Sequence, residues 1–384
     1  MHLRHYGAAL ALLSLPGLSL AQTTAAPTLP DAKKLIKEGV ALHDAEKYDE
    51  AVARYRLVTP GDSSYALAQA ELALSLVAAK KYEDGLAAAR RSLALDAFQP
   101  TLYSTMGSAY EELKQADQAG KAYADGLKLF PYSYNLLLNK AATELTMNQL
   151  VPALATLQRC VELQPGRPGV HRLLGLAAAR QGHTTHAMLS WLMYLAIEPN
   201  GGYSQSMLIN LERMAQNVPV LEPKDMLTPV SSNAAFEELD QLITSKVALD
   251  VGYVSKVKFK AAIVKQLQLI VEKYPDAADP ATDFWARAYG PAIKALRQGD
   301  NLTTFSYLIL SSAEDKSAQQ WVKGNKSKLD KLINSIDEPL LSLRNEQPLP
   351  TGTGRAKAWY DDGVLEALGA GEKDAQGKMQ PTGD

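Results

Sequence analysis

The sequence predicts an all-α protein: a solenoid of five helical hairpins over residues 32–199, a smaller helical domain over 228–347, and a short β-hairpin tail. Three observations predict it. Small residues recur every 34 positions, at Gly39, Ala73, Gly107, Ala141 and Gly175, and again at Ala51, Gly85, Ala119, Ala153 and Ala187. Each interval holds two apolar patterns of helical period, split by a polar turn such as "DAEK", "AAKK" or "RQGH". Prolines join the same period at Pro131, Pro165 and Pro199, where they close a helix.

Composition narrows the classes. The 384 residues are 46% hydrophobic and 21% charged, an ordinary globular balance. Forty basic against 42 acidic side chains leave a net charge of -2, so no summed field favours nucleic acid or an anionic membrane. Cys160 is the single cysteine, which excludes an internal disulfide and a multi-cysteine zinc site.

Residues 1–21 read as a signal peptide: Arg4 and two histidines, the apolar "AALALLSLPGLSLA", then Ser19-Leu20-Ala21 before Gln22. An uncleaved anchor is the alternative reading. Export to the periplasm, cell surface or exterior is therefore expected, with 22–31 as a linker. No other apolar run reaches the roughly 18 residues of a membrane helix, so no integral span is expected after cleavage.

The five copies are expected at 32–65, 66–99, 100–133, 134–167 and 168–199. In each, the small residue of the first helix lets the second approach closely, and the alanine or glycine of the second does the same from the other side. Bulky Tyr55, Tyr123, Leu157 and Trp191 sit four residues further on and fill the space between hairpins. In "KYDEAVARY", residues 47–55, Asp49 and Glu50 favour the start of the second helix. Its counterpart "KYEDGLAAA" replaces the packing tyrosine by Ala89.

These features resemble the tetratricopeptide repeat (TPR). Copy three is the clearest, with Tyr103, Met106, Gly107, Tyr110, Ala119, Tyr123 and Pro131 at the family's marker positions. The resemblance implies a TPR superhelical solenoid whose first helices line a concave groove for an extended peptide or a helix. By the same resemblance the groove residues are Ala70, Leu74 and Val77 in copy two, and Ser104, Ser108 and Glu111 in copy three. Copy four supplies Leu138, Asn139, Ala142 and Leu145, and copy five supplies Arg172, Leu176 and Ala179. The lysine and asparagine of the family's peptide-carboxylate clamp are replaced by Ile36 and Val40. The apolar members imply a cover for the groove: the protein's own C-terminal half by expectation, or a partner.

Beyond Pro199, residues 200–219 read as a capping helix, and Pro219, Pro223 and Pro229 mark a linker. A helix is expected from Asn233 to about Leu249. Another follows on the stripe Val257, Ala261, Val264, Leu267 and Val271, with Lys256, Lys258, Lys260 and Lys265 as a solvated face. Thr282 is the expected cap of the next helix and Gly290-Pro291 its kink. "NLTTFSYLILSS" is a buried helix or a strand, and a final helix over about 313–343 is expected to break near Pro339. This half is similar to the non-repeat region of exported bacterial repeat proteins. Residues 355–384 carry Trp359-Tyr360, an Asp361-Asp362-Gly363 turn and Val364 to Leu368, a hairpin signal that resembles one MORN-variant repeat of antitoxin-like bacterial proteins. A disordered tail follows.

No phosphate-binding glycine loop, nucleophile elbow or zinc-protease motif occurs. His183 and His186 are expected to be exposed in the turn of copy five, without the further ligands a metal needs. Adjacent acids such as Glu237-Glu238 do not face each other on a helix. The expectation is a non-catalytic scaffold for a protein or peptide, with no cofactor, no metal and no nucleic acid. The alternative is an envelope enzyme or glycan-binding protein with its site around Trp285 and Trp321, although Trp285, Tyr289, Phe305, Tyr307 and Trp321 at helical spacing read first as core.

Overall fold

The structure, a computed structural model, describes residues 31–96, 99–222, 234–276, 278–313, 315–343, 371–373 and 379–381. Five hairpins come first: α1 (Ala32–Asp44) with α2 (Tyr48–Tyr55), α3 (Tyr65–Ala78) with α4 (Tyr82–Leu95), and α5 (Pro100–Glu112) with α6 (Ala116–Leu129). Then come α7 (Tyr134–Thr146) with α8 (Leu150–Leu163), and α9 (Pro168–Arg180) with α10 (Thr184–Ile197). Within each pair the two helices pack on each other, and α1, α3, α5, α7 and α9 also lie side by side as one layer.

The turn inside each hairpin repeats as strictly as the helices. Glu46, Lys80, Lys114, Asn148 and Gly182, spaced 34 apart, all hold φ between 59° and 78°. The next residue's N–H then reaches back to the first helix, Lys47 to Leu42 O, Lys81 to Leu76 O, Gln115 to Tyr110 O, Gln149 to Glu144 O and His183 to Ala178 O. This is the Schellman closure of a helix C-terminus. Four of the five left-handed positions carry a side chain, so glycine spotting alone misses the motif.

The packing partner of each second-helix bulky residue lies in its own hairpin. A Cβ on Gly39 would stand 2.4 Å from Tyr55, one on Gly107 2.1 Å from Tyr123, and one on Gly175 2.3 Å from Trp191. Where the first helix has alanine the partner is aliphatic, Ala73 with Ala89 and Ala141 with Leu157. Glycine therefore admits an aromatic ring over the helix backbone, and alanine does not. Gly107→Ala is expected to cost about 1–3 kcal/mol through overpacking. In a Tyr123→Leu background the same change should be neutral or stabilising, because alanine is the better helix former by about 1 kcal/mol. Urea unfolding of the double-mutant cycle checks this, and strictly additive values would contradict it.

After the hairpins come α11 (Ser204–Ala215), α12 (Ala234–Thr244), a 3₁₀ turn at Val247–Leu249, α13 (Ala262–Lys273), α14 (Phe284–Leu296), α15 (Asn301–Leu310), α16 (Lys316–Gly324) and α17 (Lys326–Ser342). Several local expectations change. "NLTTFSYLILSS" is helical, and Asp283 rather than Thr282 caps α14, accepting from Ala286 N at 2.8 Å. Pro291 and Pro339 both lie within helices, while the break in the last segment falls at Asn325. Val257 is buried from an extended stretch ahead of α13, not from a helix.

The β-hairpin tail is a correction. The fold is a helical solenoid, and the expected hairpin at Trp359 to Leu368 lies outside the described residues. The strands described are β1 (Gly371–Lys373) and β2 (Met379–Pro381), three residues each, antiparallel with Glu372 opposite Gln380. They do not use the Asp-Asp-Gly turn, and so short a pair has no hydrophobic face with which to define a fold element.

One apolar core runs without interruption from Tyr134 in copy four to Leu343 after α17. The C-terminal helices are thus fused onto the last two hairpins. Helix α10 is the pillar: every residue from Thr185 to Ala196 is buried, against α9, α11, α12 and α15. Its sequence "TTHAMLSWLMYLAI" is apolar on all sides, the pattern of a central helix rather than a surface one.

Candidate partner groove

The candidate groove is the layer of first helices. Among the residues implied by the family resemblance, Ala70 and Leu145 are buried, whereas Leu74, Val77, Ser104, Ser108, Glu111, Leu138, Asn139, Ala142, Arg172 and Leu176 are half-buried. Ala179 is buried as well. Helical spacing brings them onto one face because positions four apart align along a helix.

Two of the polar members, Glu111 and Arg172, are engaged. Glu111 accepts from Thr143 Oγ1 at 2.5 Å, tying α5 to α7, and Thr143 Oγ1 also reaches the carbonyl of Asn139 at 3.1 Å. The Arg172 guanidinium lies 4.5 Å from the centre of the Tyr203 ring, and its carbonyl accepts from Trp191 Nε1 at 3.1 Å. Ion–ring contact of this kind holds the cation at the end of the layer. What the layer offers a partner is therefore mainly aliphatic: Leu74, Val77, Leu138, Ala142 and Leu176.

Among the described residues the expected cover is found only at the last copy: the C-terminal helices form their main interfaces with α8, α10 and α11 and reach α9 through the bond between His171 and Tyr289, with no extensive interface on α3, α5 or α7. They take the second-helix side because α10 has no polar face and needs neighbours all round.

That junction is also bonded. Asp240 of α12 accepts from Thr185 N at 2.6 Å and Thr185 Oγ1 at 2.5 Å, so it caps α10 from another helix. Glu212 of α11 does the same for α13, accepting from Ala262 N and Ile263 N at 2.9 Å each. Arg287 of α14 meets Glu162 of α8 at 2.5 Å. Sequence reading missed these cross-element caps, since nothing near α10 or α13 in the chain marks Asp240 or Glu212.

The histidines correct an expectation. His183 and His186 are buried, not exposed, and His186 stacks on Trp285 with ring centres 4.1 Å apart. Burial pushes the pKa of His186 down to about 3 and that of His171 to about 4; His183 is lowered by burial as well, against the pull of Asp240. His171 Nε2 faces the Pro165 carbonyl at 2.7 Å, so it carries the hydrogen, and Nδ1 accepts from the Tyr289 hydroxyl at 2.8 Å. Asp240 is itself raised by burial, partly offset by its bonds to Thr185.

The alternative site around Trp285 is filled by the protein itself. Trp285, Tyr289 and Phe305 are core side chains, and the cavity beside Tyr289 and Phe305 holds only about 20 Å³ between Leu192, Ile293 and Ile336. That is room for about one water and for no substrate. Burial raises the Cys160 thiol far above its ordinary value, which keeps it unreactive. Among the described residues no three His, Cys, Asp or Glu side chains are placed to hold a metal, and no helix is long and apolar enough to cross a membrane.

No protein-family model and no curated protein matches the chain. Solved structures do. A MamA protein of the AMB-1 form is 16% identical, covering 46% of this chain and 96% of its own, with a TM-score of 0.38. YrrB, described as a TPR protein with an unusual peptide-binding site, is 19% identical over 44% of this chain and 87% of its own, also at 0.38. MamA from Desulfovibrio magneticus RS-1, from residue 41 onward, is 15% identical over 44% and 95%, at 0.40. Likenesses this remote carry no functional weight; the 34-residue hairpin period and its recurrent turn themselves make the first half of this chain a TPR-like solenoid.

Proposed function

We propose that the protein is an exported, non-catalytic scaffold that holds an extended peptide or a helix of another protein along its first-helix layer. One observation carries the reading: α3, α5 and α7 form no extensive interface with the described C-terminal helices although they present half-buried Leu74, Val77, Leu138 and Ala142. Aliphatic side chains in that state gain roughly 25 cal/mol for each Å² that a partner covers. The position of a signal-like segment at residues 1–21 supports export.

Photo-crosslinking tests the proposal. A benzophenone side chain at Leu74, Ser108 or Ala142, one at a time, is expected to trap a common partner in cells. The same probe at Gln118 or Lys121, exposed on α6, should not. Equal trapping from both layers, or none from the first-helix positions, would remove the assignment.

A further inference from the structure

The stretch between the 3₁₀ turn and α13 presents a surface that the groove does not explain. Val251 and Val254 are 106% and 82% exposed, more than any other large apolar side chain among the described residues. Around them lie four exposed lysines, Lys246, Lys256, Lys258 and Lys260. From Lys256 to Ala261 exposure alternates, with Val257 buried and Phe259 half-buried between the lysines. The three lysines thus face solvent, while Val257 and Phe259 turn toward the protein.

The loop is held in place. Gln268 of α13, fully buried, accepts from Lys256 N at 2.8 Å and donates to Val254 O at 3.1 Å, clamping both sides of Ser255. The Tyr253 hydroxyl donates to Glu272 at 2.9 Å, and Phe259 packs edge-on against Tyr307, which stacks on Trp321 at 4.1 Å. Two valines are thus displayed on a pinned base. Glu272 also neutralises Lys256 at 2.7 Å; Asp250 lies beside Val251 in the chain and Asp300 lines the same cleft as Lys256 and Glu272, while Lys246, Lys258 and Lys260 form no salt bridge with a described carboxylate.

We infer that this loop is a membrane-surface contact, with Val251 and Val254 entering the interface of an anionic bilayer and Lys246, Lys258 and Lys260 meeting its headgroups. The chemistry discriminates between classes of partner. Protein interfaces are depleted in lysine and centre on aromatic and arginine side chains in shaped pockets. Two highly exposed valines with exposed lysines before and after them in the chain instead suit a deformable apolar medium beneath a negative surface, where apolar area and charge add. The net charge of -2 does not oppose this, because contact is set by the local field within a Debye length of about 8–10 Å. The inference is independent of the groove.

Co-sedimentation of the purified full chain with vesicles is the test. Vesicles of equal parts phosphatidylcholine and phosphatidylglycerol should bind the protein, and pure phosphatidylcholine should bind it far less. Each lysine near an anionic surface raises partitioning about fivefold, so the triple change Lys246→Gln, Lys258→Gln, Lys260→Gln should lower it about 100-fold. Lys33→Gln, Lys34→Gln, Lys37→Gln, on the exposed side of α1, removes the same net charge and should leave binding intact. Val251→Asp with Val254→Asp should also abolish binding; both sites are solvent-facing, so the fold should survive, as circular dichroism would show. No binding of the unaltered protein to the mixed vesicles, or equal loss from both lysine triples, would overturn the inference. Binding to a protein partner that these loop changes abolish, with vesicle binding unchanged, would overturn it in favour of a protein contact.

Discussion

Trp191→Ala is expected to lower the unfolding free energy by about 3–5 kcal/mol, the range for truncating a buried tryptophan. The side chain is 2% exposed, lies over Gly175 with no space for a Cβ between them, and donates from Nε1 to the Arg172 carbonyl. Its removal leaves a void in the wall of α10 and takes away the second hydrogen bond to the Arg172 carbonyl, which keeps its helical partner within α9. Because α10 belongs to the same apolar core as α12 to α15, the last two hairpins and the C-terminal helices should lose structure in a single transition. Urea unfolding followed by far-UV circular dichroism and by tryptophan emission, which Trp285 and Trp321 report, measures it. A loss below about 1 kcal/mol, or separate transitions by the two probes, would show that the C-terminal helices are a detachable unit.

Mild acid is expected to act at the same junction. His171 and His186 stay neutral in the folded state because burial lowers them to about 4 and about 3, whereas unfolded histidine titrates near 6.5. Below pH 6.5 the unfolded chain therefore binds more protons, and stability falls as pH falls until the folded values are reached. Each histidine contributes a slope of about 1.4 kcal/mol per pH unit, so the two together should remove roughly 4 kcal/mol between pH 7 and pH 5. Asp240, Glu71 and Asp337 are raised by burial and act with the opposite sign, so they offset part of this loss as far up in pH as their raised values reach. His186 Nε2 has no hydrogen-bond partner, so His186→Phe should preserve the stack on Trp285 and remove about half of the pH dependence. Denaturant midpoints at pH 7 and pH 5 for both proteins decide it; an unchanged difference in the variant would show that the loss arises elsewhere.

The repeat was legible because its constraint is local and periodic. Gly39, Gly107 and Gly175 each face an aromatic ring sixteen residues on, and a clash that recurs every 34 residues writes itself into composition. Of the candidate groove only the placement was legible: Leu74, Leu138 and Leu176 fall at equivalent positions of the first helices once the period is known, and all are half-buried there. The turn residues were less so. Glu46, Lys80, Lys114 and Asn148 adopt left-handed backbone without being glycine, held by the bond their successor makes to the first helix. The buried histidines were misread because polarity was taken for exposure, while the neighbours that bury His186 come from 50 to 99 residues later, at Phe236 and Trp285.

The sequence by itself determined the hairpin, its 34-residue period and the close approach of the two helices inside each copy, since each follows from side chains a few turns apart. Only the tertiary structure decided that the described C-terminal helices join the second-helix layer and build no extensive interface on α3, α5 or α7. The physical reason is α10. A helix apolar on every face must be enclosed, but its sequence does not say by what; Asp240, Tyr289 and the helices that carry them supply the enclosure from distant parts of the chain.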